Sequence, residues 1–308
     1  MAMIPMGMIP SHYARIKGND ALCLTYPDGE LTWSQLESRA NRRANMFQTL
    51  GVGKDDFITV ALENGIVFHE ICFALWKLGA TPHIVSHRLP AAELKAILEL
   101  LKPAAFVATN AADAPCKFCI SPDLDTASYP DSIPEVNVAK YWKAMSSGGS
   151  TGRPKIIVDH QPAEVDPEEW LIDLPQNSCV LNPGPLYHNV PFVMTHHGLF
   201  RGNHIVGMSR FDAAESLRLV EKHRASWVMM VPTMMHRIWR LSEAVRTSFD
   251  ISSLGVVSHV ASPMPVWLKE AWIKWLGADR IYELYGGTEG TGGTWIRGDE
   301  WLAHKGTV

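Results

Sequence analysis

The chain alternates between apolar residues at helical spacing and short, continuous apolar runs that are typical of buried strands. The clearest helix signal begins at Thr32, where Thr32-Trp33-Ser34-Gln35 has the form of a capping box and an apolar stripe follows to Phe47. Further helices are predicted from Asp212, around His196 and His197, and over 66–78, 94–101, 232–242 and 265–276. Strands are predicted over 57–62, 83–85, 105–108, 156–158, 179–181, 204–208, 227–231 and 255–260.

Short apolar strands that alternate with helices indicate an α/β fold with parallel sheets covered on both faces. The segment 111–137 is rich in Pro, Asp and Ser and is predicted to be mainly loop. A length of 308 residues is too great for one small domain and sufficient to bury a large core.

Composition narrows the class of protein. The chain is 46% hydrophobic and 19% charged, and its net charge of −4 comes from both signs scattered along the sequence, so neither nucleic acid nor a membrane span is indicated. The N-terminal segment lacks the basic flank and apolar core of a secretory signal. Five widely spread cysteines, an odd number, favour a reducing compartment, and a cytoplasmic location is expected.

Two small groups of metal-ligating residue types favour ordinary structural roles. Cys116 and Cys119 form a lone CxxC, whereas a zinc site needs two more ligands at suitable spacing. Two thiols in a loop or at a strand edge are therefore favoured over a metal or redox role. His196 and His197 lack the one-turn spacing of a metal pair carried by a helix.

The stretch from Ser146 to Lys155 carries the strongest chemical signal. It combines small hydroxyl residues, three glycines and a terminal lysine. Glycine N–H groups can close on an anion, hydroxyls add donors, and lysine supplies a charge suited to phosphate. In a Walker A loop the lysine leads into a helix, whereas here Lys155 follows Pro154 and precedes the predicted strand 156–158. The segment therefore indicates a phosphate-binding loop of a type other than Walker A.

A second segment, Tyr282 to Gly290, brings aromatic rings, two adjacent glycines, a hydroxyl and a carboxylate to a predicted strand end. In parallel α/β folds, ligands bind beyond the carboxyl ends of strands. A nucleotide site needs an aromatic face, donors for the α-phosphate and a carboxylate for magnesium. Taken alone, the segment is equally compatible with a glycine-rich turn and a solvated Glu289. Together with the first loop, the functional interpretation is favoured.

The two segments and their order along the chain resemble the AMP-forming adenylating enzymes, which include acyl- and aryl-CoA synthetases, luciferases and peptide-synthetase adenylation domains. The matching segments are 29–33, 76–80, 147–155, 185–189, 261–263 and 285–289. The resemblance covers nearly the whole chain. It implies an α/β fold with two doubly wound subdomains of the large N-terminal domain, and with the small C-terminal domain absent.

The resemblance also implies roles for individual residues. The phosphates of ATP would be bound by Ser147, Gly149, Ser150, Thr151, Gly152 and Lys155. The adenine would be bound by Ala261, Ser262, Pro263, Tyr285, Gly286 and Gly287, with Tyr285 stacking on the base. The catalytic residues would be Thr288 on the α-phosphate, Glu289 holding Mg²⁺, and His188 bordering the carboxylate pocket. Gly148 departs from the family, which often has a hydroxyl there, and a satisfied core histidine is the alternative for His188.

The implied reaction is ATP-dependent activation of a carboxylic acid to an acyl adenylate, followed by transfer to coenzyme A. No acidic residue occurs over 185–211, so nothing there would pair the ammonium group of an amino acid. The neighbouring Val190, Pro191, Phe192 and Val193 are apolar, which favours a lipophilic acid such as a fatty, bile or steroid acid. A place in lipid metabolism follows.

The resemblance implies a discontiguous division, with 11–53 and 163–308 in one subdomain and 54–161 in the other. Family members continue into a ribose-binding aspartate, a hinge and a lysine-bearing domain, so this chain is expected to be part of a longer enzyme or a truncated product, and a poor catalyst alone. Asp299 superficially matches the ribose motif but follows Glu289 too soon.

Two other functional classes stay open. One is a nucleotide- or acyl-binding module without turnover, and the other is an unrelated phosphate-binding α/β enzyme such as a kinase. The sequence gives neither the acid, nor the thiol acceptor, nor the oligomeric state, for which a homodimer is one option.

Overall fold

A computed structural model describes residues 3–109, 116–148, 154–169, 171–290 and 292–308. The chain divides into two compact units. The first comprises Met1–Glu169 and Leu186–Phe192, and the second comprises Trp170–Pro185 and Val193–Val308. Within the described ranges, no helix has the length and apolar character that spanning a membrane would require.

The first unit contains ten strands and four complete helices within its described residues. The strands are β1 (Ile4–Pro5), β2 (Leu22–Tyr26), β3 (Gly29–Thr32), β4 (Phe57–Ala61), β5 (Thr81–Ile84), β6 (Ala105–Ala108), β7 (Cys119–Ile120), β8 (Ala144–Gly148), β9 (Pro154–Val158) and β10 (Glu164–Val165). The helices are α1 (Ile9–Lys17), α2 (Trp33–Thr49), α3 (Ile66–Lys77) and α4 (Ala91–Leu101).

The main sheet of the first unit has the order β7-β6-β4-β5-β8-β9. All neighbours are parallel except β8 and β9, which are antiparallel. The apolar stripe of α4 covers part of this sheet, where Ile97 and Leu98 pack with Ala61 and Phe106. Helix α2 begins as predicted, because Gln35 N donates to Thr32 Oγ1 (3.2 Å) and Thr32 N donates to Gln35 Oε1 (2.9 Å).

The second unit repeats the same architecture. Its strands are β11 (Cys179–Asn182), β12 (His204–Gly207), β13 (Trp227–Met230), β14 (Val256–Val260), β15 (Ile281–Gly286) and β16 (Gly293–Arg297). The chain passes from the first unit to the second within α5 (Asn189–Phe200). The remaining helices are α6 (Ala213–His223), α7 (Pro232–Trp239), α8 (Glu243–Arg246), α9 (Val266–Leu276) and α10 (Gly298–Ala303).

The strands of the second unit follow the order β16-β15-β14-β13-β11-β12. They are parallel except for the β15–β16 pair, which is antiparallel. One face is covered by apolar residues of α6, α7 and α9, including Leu217, Ile238 and Trp272. The core of this unit is therefore a helix layer packed on a mainly parallel sheet.

The structure corrects several details of the sequence prediction. The sheets are not wholly parallel, because β8–β9 and β15–β16 are antiparallel hairpins at their edges. The predicted helix over 232–242 ends at Trp239, and a separate helix, α8, begins after Ser242, whose hydroxyl accepts from Val245 N. The elements α1, β2, β3, β8, β16 and α10 were not predicted. Strands such as β8 (Ala-Met-Ser-Ser-Gly) lack the β-branched residues that signal a strand.

The cysteines and histidines singled out in the sequence have ordinary structural positions. Cys119 lies in the edge strand β7, and Cys116 Sγ lies 3.5 Å from the backbone oxygen of Pro103. His196 is fully buried in α5. Within the described ranges, no group of three His, Cys, Asp or Glu residues is arranged to hold a metal ion.

We expect Thr32→Ala to lower the free energy of unfolding by about 1 kcal/mol, because the start of α2 loses its side-chain cap. Thr32→Ser keeps the hydroxyl and should unfold like the unmodified chain. Urea denaturation of the three proteins measures the difference. Equal stability of Thr32→Ala and Thr32→Ser would show that the capping box contributes nothing.

Candidate functional site

The predicted phosphate loop connects the two strands of the β8–β9 hairpin. Backbone pairing sets Ser147 opposite Lys155 and Gly148 opposite Pro154. The loop that joins the two strands, residues 149–153, lies outside the described residues, as does the side chain of Ser147. This loop contains the candidates Gly149, Ser150, Thr151 and Gly152. The hairpin thus holds the two ends of the loop side by side, and it leaves Lys155 exposed.

An ion pair braces the base of this hairpin. Lys143 Nζ lies 3.1 Å from Asp159 Oδ2, next to the paired ends of β8 and β9. The side chain of Lys143 is almost fully buried, and burial lowers its pKa while Asp159 opposes that change. The ammonium also lies 5.1 Å from the ring centre of Trp142. The strands that flank the predicted phosphate loop are therefore fixed by side chains as well as by backbone hydrogen bonds.

The second predicted loop connects the strands of the β15–β16 hairpin. Tyr285 pairs with Thr294 and Gly286 with Gly293, and the ring of Tyr285 is exposed, at 70% of its full accessibility. Gly290 N donates to Gly287 O (3.1 Å), which closes a turn around Thr288 and Glu289. The side chain of Glu289 is exposed. One hairpin end therefore presents an aromatic face, a hydroxyl and a carboxylate.

The carboxylate of Glu289 is suited to a magnesium ion. It is a hard oxygen ligand, and among the described residues no cationic side chain lies within ion-pair distance of it. Glu289 Oε2 would lie 3.3 Å from a Cβ atom added at Gly287. Glycine at position 287 therefore leaves room for this carboxylate above the turn.

The predicted adenine segment lies beside the same hairpin. Strand β14 runs parallel to β15, and Val260 pairs with Leu284. Ala261 follows Val260, and Tyr285 follows Leu284. The sheet therefore brings these two candidates together at its carboxyl edge. Ala261 has a φ of 78°, in the left-handed region that a residue with a Cβ rarely adopts. One of the strained backbone positions therefore lies where the resemblance implies contact with adenine.

Three buried ionisable residues, one each from β14, β15 and α9, contact one another next to these strand ends. Glu283 pairs in register with His259, and its carboxylate forms an ion pair with Lys269 of α9. His259 Nε2 lies 3.7 Å from Glu283 Oε2, and the ammonium of Lys269 lies 4.5 Å from the ring centre of Trp301. Both His259 and Lys269 are 0% exposed. Burial, reinforced by Lys269, lowers the pKa of His259 to about 3.

The sequence interpretation missed this cluster. Charged residues within apolar elements were its only signal, because Lys269 lies on the buried side of α9 and Glu283 interrupts the buried strand β15. A buried charge needs a partner, so Lys269 and Glu283 require one another once both elements are placed.

The predicted acid-pocket segment contains residues in two different environments. Leu186 N donates to Asn64 Oδ1 (2.8 Å), which anchors the start of the segment in the first unit. The side chain of His188 reaches the surface, and its ring centre lies 4.7 Å from that of Tyr187. The part of the imidazole that is shielded from solvent lowers the pKa of His188. Phe192 is 0% exposed and packs against Trp142, with ring centres 5.8 Å apart. Phe192 therefore belongs to the aromatic core of that unit.

Asp299 accepts two hydrogen bonds from Arg297, two residues earlier in the chain. Arg297 Nε donates to Asp299 Oδ1 (2.7 Å) and Arg297 Nη2 donates to Asp299 Oδ2 (2.5 Å). Hydrogen bonding from Arg297 holds the pKa of Asp299 down at about 2. This carboxylate therefore has a local structural partner at the start of α10.

We expect Ala261→Gly to raise the free energy of unfolding by about 0.5–1 kcal/mol, because glycine adopts a positive φ without strain. Ala271→Gly, in the interior of α9, should instead lower it by about 1 kcal/mol. Chemical denaturation gives both values. A loss of stability in Ala261→Gly as large as that in Ala271→Gly would contradict the strain at position 261.

The low pKa of His259 makes the fold sensitive to acid. Its folded-state pKa of about 3 lies below the ordinary value of 6.5, so the unfolded chain takes up the proton first. Its contribution to stability is complete above pH 6.5 and is lost as the pH falls towards about 3. His259→Gln should reduce the slope of unfolding free energy against pH in this window by up to about 1.4 kcal/mol per pH unit. The exposed His304→Gln is the matched control, and equal slopes in both variants would refute this.

Comparison with known proteins supports the family resemblance. The profile of the AMP-binding enzyme family matches residues 12–308. The long-chain-fatty-acid–CoA ligase FadD13 of Mycobacterium tuberculosis is 25% identical over 290 residues, which cover 86% of this chain and 56% of that protein. The 2,3-dihydroxybenzoate-AMP ligase of Bacillus subtilis is 26% identical over 279 residues, which cover 78% of this chain and 50% of that protein. The chain thus spans about half the length of the curated relatives it matches.

Solved structures share the fold. The N-terminal domain of FACL13 from Mycobacterium tuberculosis superposes with a TM-score of 0.85 at 22% identity, covering 98% of this chain and 81% of that one. The o-succinylbenzoate CoA synthetase MenE of Bacillus subtilis, in complex with an acyl-adenylate intermediate, gives 0.80 at 17% identity, covering 99% and 63%. The predicted fold class is confirmed. The roles given to individual residues and the division at 53–54 and 161–163 stay predictions. Because the family profile matches nearly the full sequence, the chain belongs to the AMP-binding enzyme family.

Proposed function

We propose that this chain contributes the ATP and acid sites of a ligase that activates a lipophilic carboxylic acid as an acyl adenylate and passes the acyl group to coenzyme A. The observation that carries the proposal is the end of the β15–β16 hairpin. It presents the exposed ring of Tyr285, the hydroxyl of Thr288 and the carboxylate of Glu289, which has no cationic partner among the described residues, next to the strained turn at Ala261. These are the groups that a magnesium-bound nucleotide requires.

The chemistry needs positioning and charge neutralisation rather than a protein nucleophile. A carboxylate oxygen attacks the α-phosphorus of ATP, the bond to the bridging oxygen breaks, and pyrophosphate leaves with the electron pair. Thr288 would donate to a non-bridging oxygen of the α-phosphate, where negative charge accumulates. Lys155 would bind the departing phosphates, and Glu289 would hold the magnesium ion. When bound, that ion reduces the repulsion between the two anions.

The substrate class rests on the segment that follows β11. The stretch 185–211 has no acidic side chain to pair a substrate ammonium, and its exposed imidazole, His188, is followed by apolar residues. A fatty, aryl or steroid carboxylate fits this better than an amino acid. The relatives named above act on a long-chain fatty acid and on 2,3-dihydroxybenzoate, neither of which carries an ammonium group. Coenzyme A as acceptor, a cytoplasmic location and a homodimer stay predictions.

We expect Glu289→Gln to weaken magnesium-dependent ATP binding by roughly 10- to 100-fold, since a charge-assisted contact of this kind contributes about 1.5–3 kcal/mol. Isothermal titration with ATP, with and without magnesium, measures the effect. Glu300→Gln is the matched control, because Glu300 is an exposed glutamate on α10 of the same unit. Equal ATP affinity in Glu289→Gln and the unmodified chain would remove Glu289 from the site.

The reaction class has its own test. In a full-length version of the enzyme, exchange of labelled pyrophosphate into ATP, driven by a panel of acids, should be fastest with a lipophilic carboxylate. Exchange driven best by a free amino acid would contradict the substrate class. Formation of ADP instead of AMP would assign the chain to a different class of enzyme. Binding of ATP without any exchange would identify it as a nucleotide-binding module.

A further inference from the structure

A cavity of about 580 Å³ lies between α2, α3 and the segment 124–127 of the first unit, and it shares no residue with the two candidate ligand loops. Arg39, Arg42 and Arg43 line it from one face of α2, since residues three and four positions apart are neighbours on a helix surface. Glu70 lines it from α3. A volume of this size is typical of sites that bind small organic molecules. We call it the α2 cavity.

The positive charge in the wall of the α2 cavity exceeds the negative charge. Arg43 Nε donates to Glu70 Oε2 (2.6 Å), and Arg39 Nη1 donates to Glu70 Oε1 (3.2 Å). Two guanidinium groups therefore share one carboxylate, and these three side chains together keep a net positive charge. Arg42 has a carboxylate of its own, because Arg42 Nη2 lies 3.6 Å from Asp131 Oδ2. An anion in the cavity would neutralise the charge that Glu70 leaves uncompensated.

Arg43 has hydrogen-bond donors that no described residue uses. It is 7% exposed, and its side chain donates to Glu70 through Nε alone within the described ranges, so both Nη groups lack an acceptor there. A guanidinium presents five N–H donors in one plane, and a largely buried donor without an acceptor costs free energy. The hydroxyl of Thr126, which also lines the cavity, makes no hydrogen bond in the described part of the chain. An oxyanion bound in the cavity would accept from both side chains.

The other acidic residue of the wall leaves room for this anion. Asp125 is exposed, and its Oδ1 accepts from Ala127 N (2.8 Å), so solvent screens its charge and the carboxylate serves the local turn. A phosphate monoester has close to two negative charges and three terminal acceptor oxygens at neutral pH. A carboxylate has one charge and two oxygens. Because Arg39 and Arg43 present two separate guanidinium forks, the phosphate group matches them better.

We propose that the α2 cavity binds a small organic molecule through a phosphate monoester, with Arg39 and Arg43 as the phosphate ligands. The cavity is much larger than a phosphate group, and the apolar side chains of Val67 and Leu124 line part of it. These side chains give an organic body a surface to contact. The proposal stands apart from the proposed function, because no residue of the cavity belongs to either candidate ligand loop.

Phenyl phosphate is the probe, because it combines a phosphate monoester with a small apolar body. Magnetic resonance signals of the arginine side-chain N–H groups, in the nitrogen-15-labelled chain, report where the probe binds. Phenyl phosphate should shift the signals of Arg39 and Arg43, which the variants below assign. It should bind roughly 3- to 10-fold more tightly than inorganic phosphate, which has no ring to bury. Phenol and benzoate should shift the same signals less at equal concentration, because the first lacks the anion and the second lacks the dianionic phosphate.

Two variants test the assigned ligands by isothermal titration with phenyl phosphate. Arg39→Gln removes a half-exposed guanidinium and should weaken binding roughly 10-fold or more, as expected for a charge-assisted contact. Arg43→Lys keeps a positive charge next to Glu70 but loses the planar fork, and it should weaken binding by a similar factor. Arg15→Gln is the matched control, because Arg15 is an exposed arginine on α1 of the same unit and does not line the cavity. Melting temperatures without the probe show that each variant folds, and Arg39→Gln decides the outcome if Arg43→Lys does not.

Shifts of both arginine signals, together with a loss of affinity in Arg39→Gln and none in Arg15→Gln, would support the site. Unchanged signals of Arg39 and Arg43 in the presence of phenyl phosphate would overturn it, as would equal affinity in Arg39→Gln and the unmodified chain. Larger shifts with benzoate would assign a carboxylate and refute the phosphate class. Equal binding of phenol would show that the anion contributes nothing, and equal binding of inorganic phosphate would show that the organic body contributes nothing. Either result would contradict the proposal.

Discussion

Antiparallel pairing at the edge of each sheet is the constraint on which both candidate ligand loops depend. A parallel strand releases its chain at the carboxyl edge, and only one end of the following loop is then held by the sheet. Strands β9 and β16 return antiparallel to β8 and β15, so both ends of each loop are fixed by backbone hydrogen bonds.

The two hairpins are supported by different chemistry. Beneath the second loop, Lys269 and Glu283 form an ion pair in a fully buried setting, next to a neutral His259. Removing either partner would leave a buried charge, so the pair specifies the packing of α9 on β15 more than it adds net stability. Next to the first loop, Thr59 and His83 are buried and linked by a hydrogen bond, and burial lowers the pKa of His83 to about 3. One support depends on charge, and the other depends on a hydrogen bond between neutral side chains.

Much of the fold could be predicted from the sequence because its signals are local. The capping box at Thr32 and the apolar stripe of α4 depend on residues within a few positions, and the structure has both elements. Strand β8 could not be found this way, since its composition is small and polar and it becomes a strand only by pairing with β5 and β9. The hairpins at the sheet edges are tertiary features, and apolar periodicity does not specify the direction of a neighbouring strand.

The candidate site also has features that the sequence predicts and features that depend on the tertiary fold. The sequence could single out the end of the second hairpin as a candidate site, because aromatic, glycine, hydroxyl and carboxylate groups lie next to one another in it. It could not identify the Lys269–Glu283 pair or the hydrogen bonds of His83 with Thr59 and Ser146, because each of these contacts joins residues 14 to 63 positions apart. Such pairs form only when the sheet order is known, and burial then decides their chemistry.

Glu283 and Glu289 illustrate how burial assigns different roles to one residue type on the same hairpin. Glu283 is buried, and its carboxylate is neutralised by Lys269, so it can act on a ligand only by holding β15 in place. Glu289 is exposed beyond the end of that strand, with no cationic partner among the described residues, so its charge remains available to a metal ion. A nucleotide site needs both: a carboxylate kept free for magnesium, and a rigid strand end that keeps it in place.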